Sequence, residues 1–147
     1  MKINSESEMM ALGRTLAGKL TFPAVIELVG DVGTGKTTFT RGLAEGLGVA
    51  EPVTSPSFTI SKRYAFKLPE RDGELVHYDY YRLGDPGIMR DELAETLSVP
   101  NTVAVVEWGG DVADLLPDSK YRLALKLNED GSRTVALSHC GEPVGDL

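Results

Sequence analysis

The segment GDVGTGKT, residues 30–37, limits most strongly how this chain can fold. It follows AVIELV at 24–29, a short run rich in β-branched residues that predicts a buried strand. It precedes apolar residues at every fourth position, which predict a helix that ends near Gly48: Phe39, Leu43 and Leu47. A strand, a glycine-bearing loop and a helix are therefore consecutive, which is an α/β arrangement.

The rest of the chain supplies further elements of both kinds. Ser5-x-x-Glu8 is a capping-box pattern that predicts a helix over about 6–19. Strands are predicted at 58–66, 75–80, 103–106, 121–127 and 134–139, with turns at 71–73 and 128–131, and a weaker helix is predicted at about 88–97. We expect one domain over residues 1–147, with about 141–147 as a flexible tail. Residues 30–37 also fit the phosphate-binding loop pattern G-x-x-x-x-G-K-[ST]. The predicted fold is therefore a P-loop NTPase-like three-layer α/β fold, a mixed sheet with parallel core strands and antiparallel hairpins.

Composition narrows the classes of protein to consider. A chain of 147 residues with 41% hydrophobic residues can form a core without disulfides, and its single cysteine, Cys140, fits a reducing, cytoplasmic setting. With 15 basic and 22 acidic residues, the net charge of −7 argues against free-standing binding of DNA or RNA. The first residues lack the apolar run of a signal peptide, and no apolar stretch approaches the roughly 18 residues of a membrane span. We therefore expect no membrane association.

The glycine-bearing loop fits G-x-x-x-x-G-K-[ST], the phosphate-binding P-loop pattern. Glycines allow consecutive backbone N–H groups to surround a phosphate, and the helix that follows adds its positive N-terminal end. Lys36 would reach the β- and γ-phosphates of a nucleotide, and the Thr37 hydroxyl would bind Mg²⁺. The alternative is a loop that caps a helix and binds no ligand.

Glu107 follows the apolar run VAVV at 103–106 and is the candidate for a second Mg²⁺ ligand. P-loop sites take this ligand from an acidic residue at the end of a neighbouring buried strand. Glutamate is one methylene longer than the usual aspartate, so it would bind directly or through water. An acid at this position is otherwise a strand end that meets solvent. Trp108 would stack on a base or a partner, or simply pack against the protein.

His77 and Asp79 lie on one face of a predicted strand, because strand side chains alternate. Asp79 could orient or deprotonate an attacking water, and Arg82 could neutralise charge on the transferred phosphoryl group. A solvated ion pair between Asp79 and Arg82, with His77 as a structural histidine, is the alternative. The hydroxyl-rich segment 53–58 either senses the γ-phosphate or forms a turn.

Four blocks together resemble the TsaE (YjeE) family of small bacterial ATPases in tRNA threonylcarbamoyladenosine biosynthesis: GDVGTGKTTFTRGLAEGLG, VTSPSFTI, HYDYYRL and VEWGG. The match extends from about Glu6 to Leu137. The resemblance implies a cytoplasmic ATPase that needs ATP and Mg²⁺, releases ADP, and works with TsaD and TsaB. TsaD would transfer the threonylcarbamoyl group to the adenosine next to the anticodon, and this chain would meet tRNA only through the complex.

The same resemblance assigns roles to residues. Gly33–Thr38 would hold the phosphates, Thr37 and Glu107 the magnesium ion, and 55–58 would be a nucleotide-sensitive switch. The catalytic candidates are Lys36, Asp79, Arg82 and Glu107. The candidates for nucleotide contact are Gly30, Asp31, Gly33, Thr34, Gly35, Lys36, Thr37, Thr38, Trp108 and Arg133.

Other functions remain open from the sequence. A small-molecule P-loop kinase also combines this loop with a short α/β chain, but the sequence has no arginine-rich lid segment. A nucleotide-gated binding module that does not hydrolyse ATP is a further possibility. A GTPase is less favoured, because the guanine-reading pattern N-K-x-D does not occur.

Overall fold

The computed structural model describes residues 1–31, 33–54, 61–80 and 87–145, with the side chains of 88, 89 and 109–111 left aside. In chain order, the strands are β1 (Lys2–Ile3), β2 (Ala24–Val29), β3 (Ser61–Lys67), β4 (Asp72–Asp79), β5 (Thr102–Glu107), β6 (Tyr121–Leu127), β7 (Arg133–His139) and β8 (Glu142–Pro143). Its helices are α1 (Glu6–Ala17), α2 (Lys36–Gly46), α3 (Gly87–Leu97) and a 3₁₀ helix (Gly109–Leu115).

The strands form one mixed sheet in the order β1-β7-β6-β2-β5-β4-β3, and β8 pairs with β7. At its centre, β2 runs parallel to both β5 and β6, and β4 runs parallel to β5. The pairs β3–β4 and β6–β7 are antiparallel hairpins. The predicted mixed sheet with parallel core strands and antiparallel hairpins is confirmed.

Helices cover both faces of the sheet, which confirms the three-layer arrangement. On one face, Leu16 of α1 and Phe39 of α2 belong to a core that includes Ile26 and Val105. On the other face, a smaller core joins α3 and the 3₁₀ helix to β4 and β5, through Leu93, Val112, Val76 and Val106. The strand runs predicted to be buried, 24–29 and 103–106, are apolar except at Glu27, because parallel central strands are covered on both sides.

The predicted turn at 71–73 is wrong, although the hairpin around it is confirmed. The turn lies at 68–71, where the backbone groups of Leu68 and Arg71 bond to each other, and Gly73 lies inside β4 opposite Phe66. A Cβ atom at Gly73 would lie 2.1 Å from the carbonyl oxygen of Asn101. This glycine therefore allows close packing and does not form the turn.

The two ends of the described chain lie on β7. β1 pairs with β7, and the Met1 amino group donates to the Val135 carbonyl at 2.8 Å. β8 also pairs with β7, and the Val144 N–H donates to the Leu137 carbonyl. Neither short strand was predicted, and flexibility of 141–147 stays a prediction. In the part of the chain that the structure describes, the helices are too short or too polar to span a membrane.

Helices α1 and α2 cross at two glycines. A Cβ atom at Gly42 would lie 2.2 Å from the Met10 carbonyl oxygen, and one at Gly13 would lie 2.4 Å from the Phe39 carbonyl oxygen. The two backbones touch, so no larger residue fits at either position without moving a helix. Because α2 begins at Lys36, this crossing also fixes the helix that carries the P-loop lysine.

We expect Gly42→Ala to lower the free energy of unfolding by about 1–3 kcal/mol, because the added methyl group overlaps the backbone of Met10. Gly18→Ala is the matched control: Gly18 has an ordinary φ of −71°, and a Cβ atom there would lie in ordinary contact, 3.6 Å from the Thr15 carbonyl oxygen. That control should change stability by no more than about 0.5 kcal/mol in urea unfolding. Equal stability of the two variants would contradict the close crossing.

Candidate nucleotide-binding site

The P-loop lies where the parallel strands end. Because β2, β4 and β5 run in the same direction, their carboxyl ends meet at one edge of the sheet, and the loop turns there from β2 into α2. Gly30, Gly33 and Gly35 have φ angles of 153°, 84° and 104°, a region that favours glycine. The Thr34 hydroxyl donates to the Asp31 carbonyl at 2.7 Å, which holds the loop in its turn.

Two opposite charges are buried beside this loop. The side chains of Lys36 and Glu107 are only 6% and 4% exposed, and Lys36 Nζ lies 3.6 Å from Glu107 Oε1. Lys36 Nζ also donates to the Gly30 carbonyl at 2.6 Å and lies 4.5 Å from the centre of the Trp108 ring. The second carboxylate oxygen of Glu107 contacts Nε2 of the fully buried His77. The P-loop, β5 and β4 are thus joined through side chains.

The strand register brings the carboxylates together. In the β4–β5 pair, Asp79 lies opposite Glu107, and the Tyr80 N–H donates to the Glu107 carbonyl at 3.0 Å. Asp79 is half-buried and Glu107 is buried. The predicted site residues at the two strand ends are therefore neighbours.

A cavity of about 470 Å³ opens over the loop, within the size range of small-molecule sites. From the loop and the start of α2, it is lined by Gly33, Gly35, Lys36, Thr37 and Thr38. From the strand ends, it is lined by Asp79, Glu107, Trp108 and Arg133. Together with a segment near the start of the chain, residues from five separate parts of the sequence meet at this cavity.

Not every candidate lies there. Gly30, Asp31 and Thr34 line a second opening of about 790 Å³, which shares Trp108 with the first. Arg82 and the segment 55–58 lie outside the described residues, so their predicted roles stay predictions.

Residues near the start of the chain also line the first cavity, and no pattern in the sequence predicted that they would. Ile3, Ser5, Glu6 and Met9 contribute to its wall. The Ser5 side chain caps α1 by accepting a hydrogen bond from the Glu8 N–H, and the Glu8 carboxylate accepts from the Asn4 N–H. A capping pattern predicts a helix and not a ligand. The pairing of β1 with β7 brings Ile3 to the site, and the packing of α1 against α2 brings Met9 there.

Trp108 serves both packing and the site. Its ring packs against the smaller core and also lines the cavity. Its backbone adopts φ 55° and ψ 42°, a left-handed conformation that bulky residues rarely take. Such backbone conformations cluster at functional sites, where the surrounding structure enforces them.

The turn between β6 and β7 places Arg133 against the P-loop. One Arg133 Nη atom donates to the Gly33 carbonyl at 3.1 Å and the other to the Gly131 carbonyl at 2.6 Å. Asp130 accepts from both the hydroxyl and the backbone N–H of Ser132. These bonds, together with the nearby Lys2, lower the pKa of Asp130 from 3.8 to about 2.

We expect the turn between β6 and β7 to lose the stabilisation by ionised Asp130 in acid. The lowered pKa means that ionised Asp130 stabilises the fold fully above pH about 4, and that this contribution disappears as the pH falls through about 2. The difference in melting temperature between the wild type and Asp130→Asn should therefore be largest near pH 6 and vanish near pH 2. A difference that stays constant over this range would contradict the assignment.

Sequence comparisons with known proteins point to one family. Residues 3–135 match the family described as "Threonylcarbamoyl adenosine biosynthesis protein TsaE". The tRNA threonylcarbamoyladenosine biosynthesis protein TsaE of Streptomyces coelicolor is 41% identical over 91% of this chain and 92% of its own length. The protein of the same name in Bacillus subtilis is 35% identical over 95% of this chain and 84% of its own.

A solved structure leads to the same family. The crystal structure of Bacillus subtilis YdiB superimposes with a TM-score of 0.72 and 32% sequence identity, and the match covers 96% of this chain and 84% of that one. The resemblance noted in the sequence is therefore confirmed over nearly the whole chain: it belongs to the TsaE family of threonylcarbamoyl adenosine biosynthesis proteins.

Proposed function

We propose that this chain is a cytoplasmic ATPase that binds ATP with Mg²⁺ and hydrolyses it to support threonylcarbamoylation of the adenosine next to the anticodon in tRNA. It acts with TsaD and TsaB, and TsaD performs the transfer itself. The relatives named above support the tRNA modification. The nucleotide chemistry is argued from the site.

The observation that carries the proposal is that the P-loop and the carboxylates at the ends of β4 and β5 line the same cavity. Lys36 and Thr37 begin α2, whose backbone N–H groups and helix dipole favour an anion. Asp79 and Glu107 face the same cavity. Carboxylates beside a phosphate site repel the anion unless a cation lies between them, so the arrangement suits a phosphate–metal complex better than a free phosphate.

The residues present fit a magnesium ion. Mg²⁺ prefers oxygen ligands and commonly takes one or two from protein and others from phosphates and water. The Thr37 hydroxyl and the Glu107 carboxylate both line the cavity and are the oxygens that would hold it. When bound, the ion would neutralise negative charge on the β- and γ-phosphates.

Hydrolysis requires a group that orients water toward the γ-phosphate. Asp79 is the candidate, because its half-buried carboxyl group lines the cavity beside Glu107 and strand pairing holds its backbone. Lys36 would exchange its contacts with Gly30 and Glu107 for the β- and γ-phosphates, where it stabilises the charge of the transition state. Trp108 and Arg133 also line the cavity and would contact the nucleotide.

Lys36→Ala should abolish measurable ATP binding and stop tRNA modification by TsaD and TsaB, because it removes the cation that contacts the phosphates. Lys19→Ala is the matched control, since Lys19 is exposed and lies outside the cavity. Titration calorimetry with ATP and a modification assay with purified partners measure both effects. Modification at the wild-type rate with Lys36→Ala would disprove the proposed function.

Asp79→Asn should lower ATP turnover by about 100-fold or more and leave the affinity for ADP within about twofold, because a positioned base acts mainly in the chemical step. Asp118→Asn, at an exposed position outside the cavity, should leave both unchanged. Phosphate release in the presence of TsaD and TsaB is the measurement. An Asp79→Asn variant with normal turnover would exclude Asp79 as this group.

The same assay separates the alternatives left open by the sequence. A small-molecule kinase would transfer the phosphoryl group to a metabolite without partners. A nucleotide-gated module would bind ATP and release no phosphate even with TsaD and TsaB present. Co-purification with TsaD and TsaB, with and without ATP, tests the partners directly.

A further inference from the structure

His77 is fully buried, and its two ring nitrogens have different surroundings. Nε2 contacts the Glu107 carboxylate. Nδ1 is also buried and has no hydrogen-bond partner among the described residues. A carboxylate only accepts hydrogen bonds, and a buried N–H group without an acceptor is unfavourable. Both observations assign the proton of a neutral imidazole to Nε2, which donates to Glu107.

The two oxygens of Glu107 have separate partners. Oε1 faces Lys36 Nζ at 3.6 Å, and Oε2 contacts His77. Lys36 has a long flexible side chain, whereas His77 has a ring enclosed on a central strand that is paired on both sides. When Lys36 turns toward phosphates, His77 is the partner that stays with Glu107.

We propose that His77 is a positioning residue for the metal ligand: it holds Oε2 of Glu107 so that Oε1 faces the cation in the nucleotide cavity. This inference rests on the proposed function, in which Glu107 helps to hold Mg²⁺. Side chains that bind a metal are commonly oriented by hydrogen bonds from a second layer of residues, and losing such a partner typically costs 10- to 100-fold in metal affinity.

The alternative is that His77 only fills the core. A core-filling histidine would affect stability and would affect nucleotide affinity equally with and without Mg²⁺. A positioning histidine affects the part of the affinity that depends on Mg²⁺. The two roles therefore differ in a measurable way that does not require catalysis.

The test compares His77→Leu, which removes the donor, with His77→Gln, whose side-chain amide can donate to Glu107. ADP affinity is measured by calorimetry in Mg²⁺ and in EDTA. We expect His77→Leu to reduce the affinity gain from Mg²⁺ about tenfold and to leave the affinity in EDTA unchanged. His77→Gln should restore most of that gain.

Tyr78→Phe is the matched control, because Tyr78 is buried on the opposite face of the same strand and bonds to Thr96 there. It should lower the melting temperature without changing the response to Mg²⁺. An unchanged Mg²⁺ response in His77→Leu, or an equal loss of affinity with and without Mg²⁺, would overturn the proposal while the proposed function stands.

A second measurement needs neither a variant nor a nucleotide. ¹⁵N NMR of the wild-type histidine side chains should show His77 protonated at Nε2 and unprotonated at Nδ1. A proton on Nδ1 alone would overturn the proposal. Wild-type protein that binds ADP with no dependence on Mg²⁺ would instead overturn the proposed metal site, a failure that the NMR result distinguishes from an error about His77.

Discussion

The buried pair of Lys36 and Glu107 is the constraint on which the site depends. Both charged side chains are almost fully removed from water, so each needs an oppositely charged partner. Removing one partner of such a buried pair typically costs about 3–5 kcal/mol. In the proposed cycle, the phosphates replace Glu107 as the partner of Lys36, and a cation replaces Lys36 as the partner of Glu107, so either exchange alone leaves one charge without its partner. Binding of the nucleotide and the metal should therefore be coupled.

The fold makes this pairing possible through parallel strands. Glu107 ends β5, Lys36 begins the helix after β2, and the direct pairing of β2 with β5 brings the two to one edge of the sheet. The pairing of β4 with β5 adds Asp79 and His77 in fixed register. The crossing of α1 and α2 then holds α2 in place against the sheet, and Met9 of α1 packs close to Gly35.

The sequence predicted the elements whose own residues form a recognisable pattern. AVIELV predicted a buried strand, the glycine motif predicted a loop and VAVVE predicted the end of a buried strand. Residues of the P-loop and Glu107 line the expected cavity. Gly73 was misplaced because a glycine that allows close packing looks, in sequence, like a glycine that forms a turn. The contact between His77 and Glu107 depends on how β4 pairs with β5, and no pattern around either residue encodes that register. The contribution of Ile3 to the cavity depends on strand pairing across almost the whole sequence, and that of Met9 depends on the packing of α1 against α2, so neither could be predicted from a local pattern.

The pairing of β1 with β7 has a consequence for synthesis of the protein. Lys2 lies opposite Thr134, so β1 is made long before β7 and cannot join the sheet until β7 has been made. Arg133, on that late strand, lines the same cavity as Ile3. Although the P-loop and both helices of its layer emerge early, the cavity cannot close until translation has passed β7. Under the proposed function, a nascent chain should therefore gain nucleotide affinity only after β7 has been made, so ligand binding cannot assist the folding of the earlier elements.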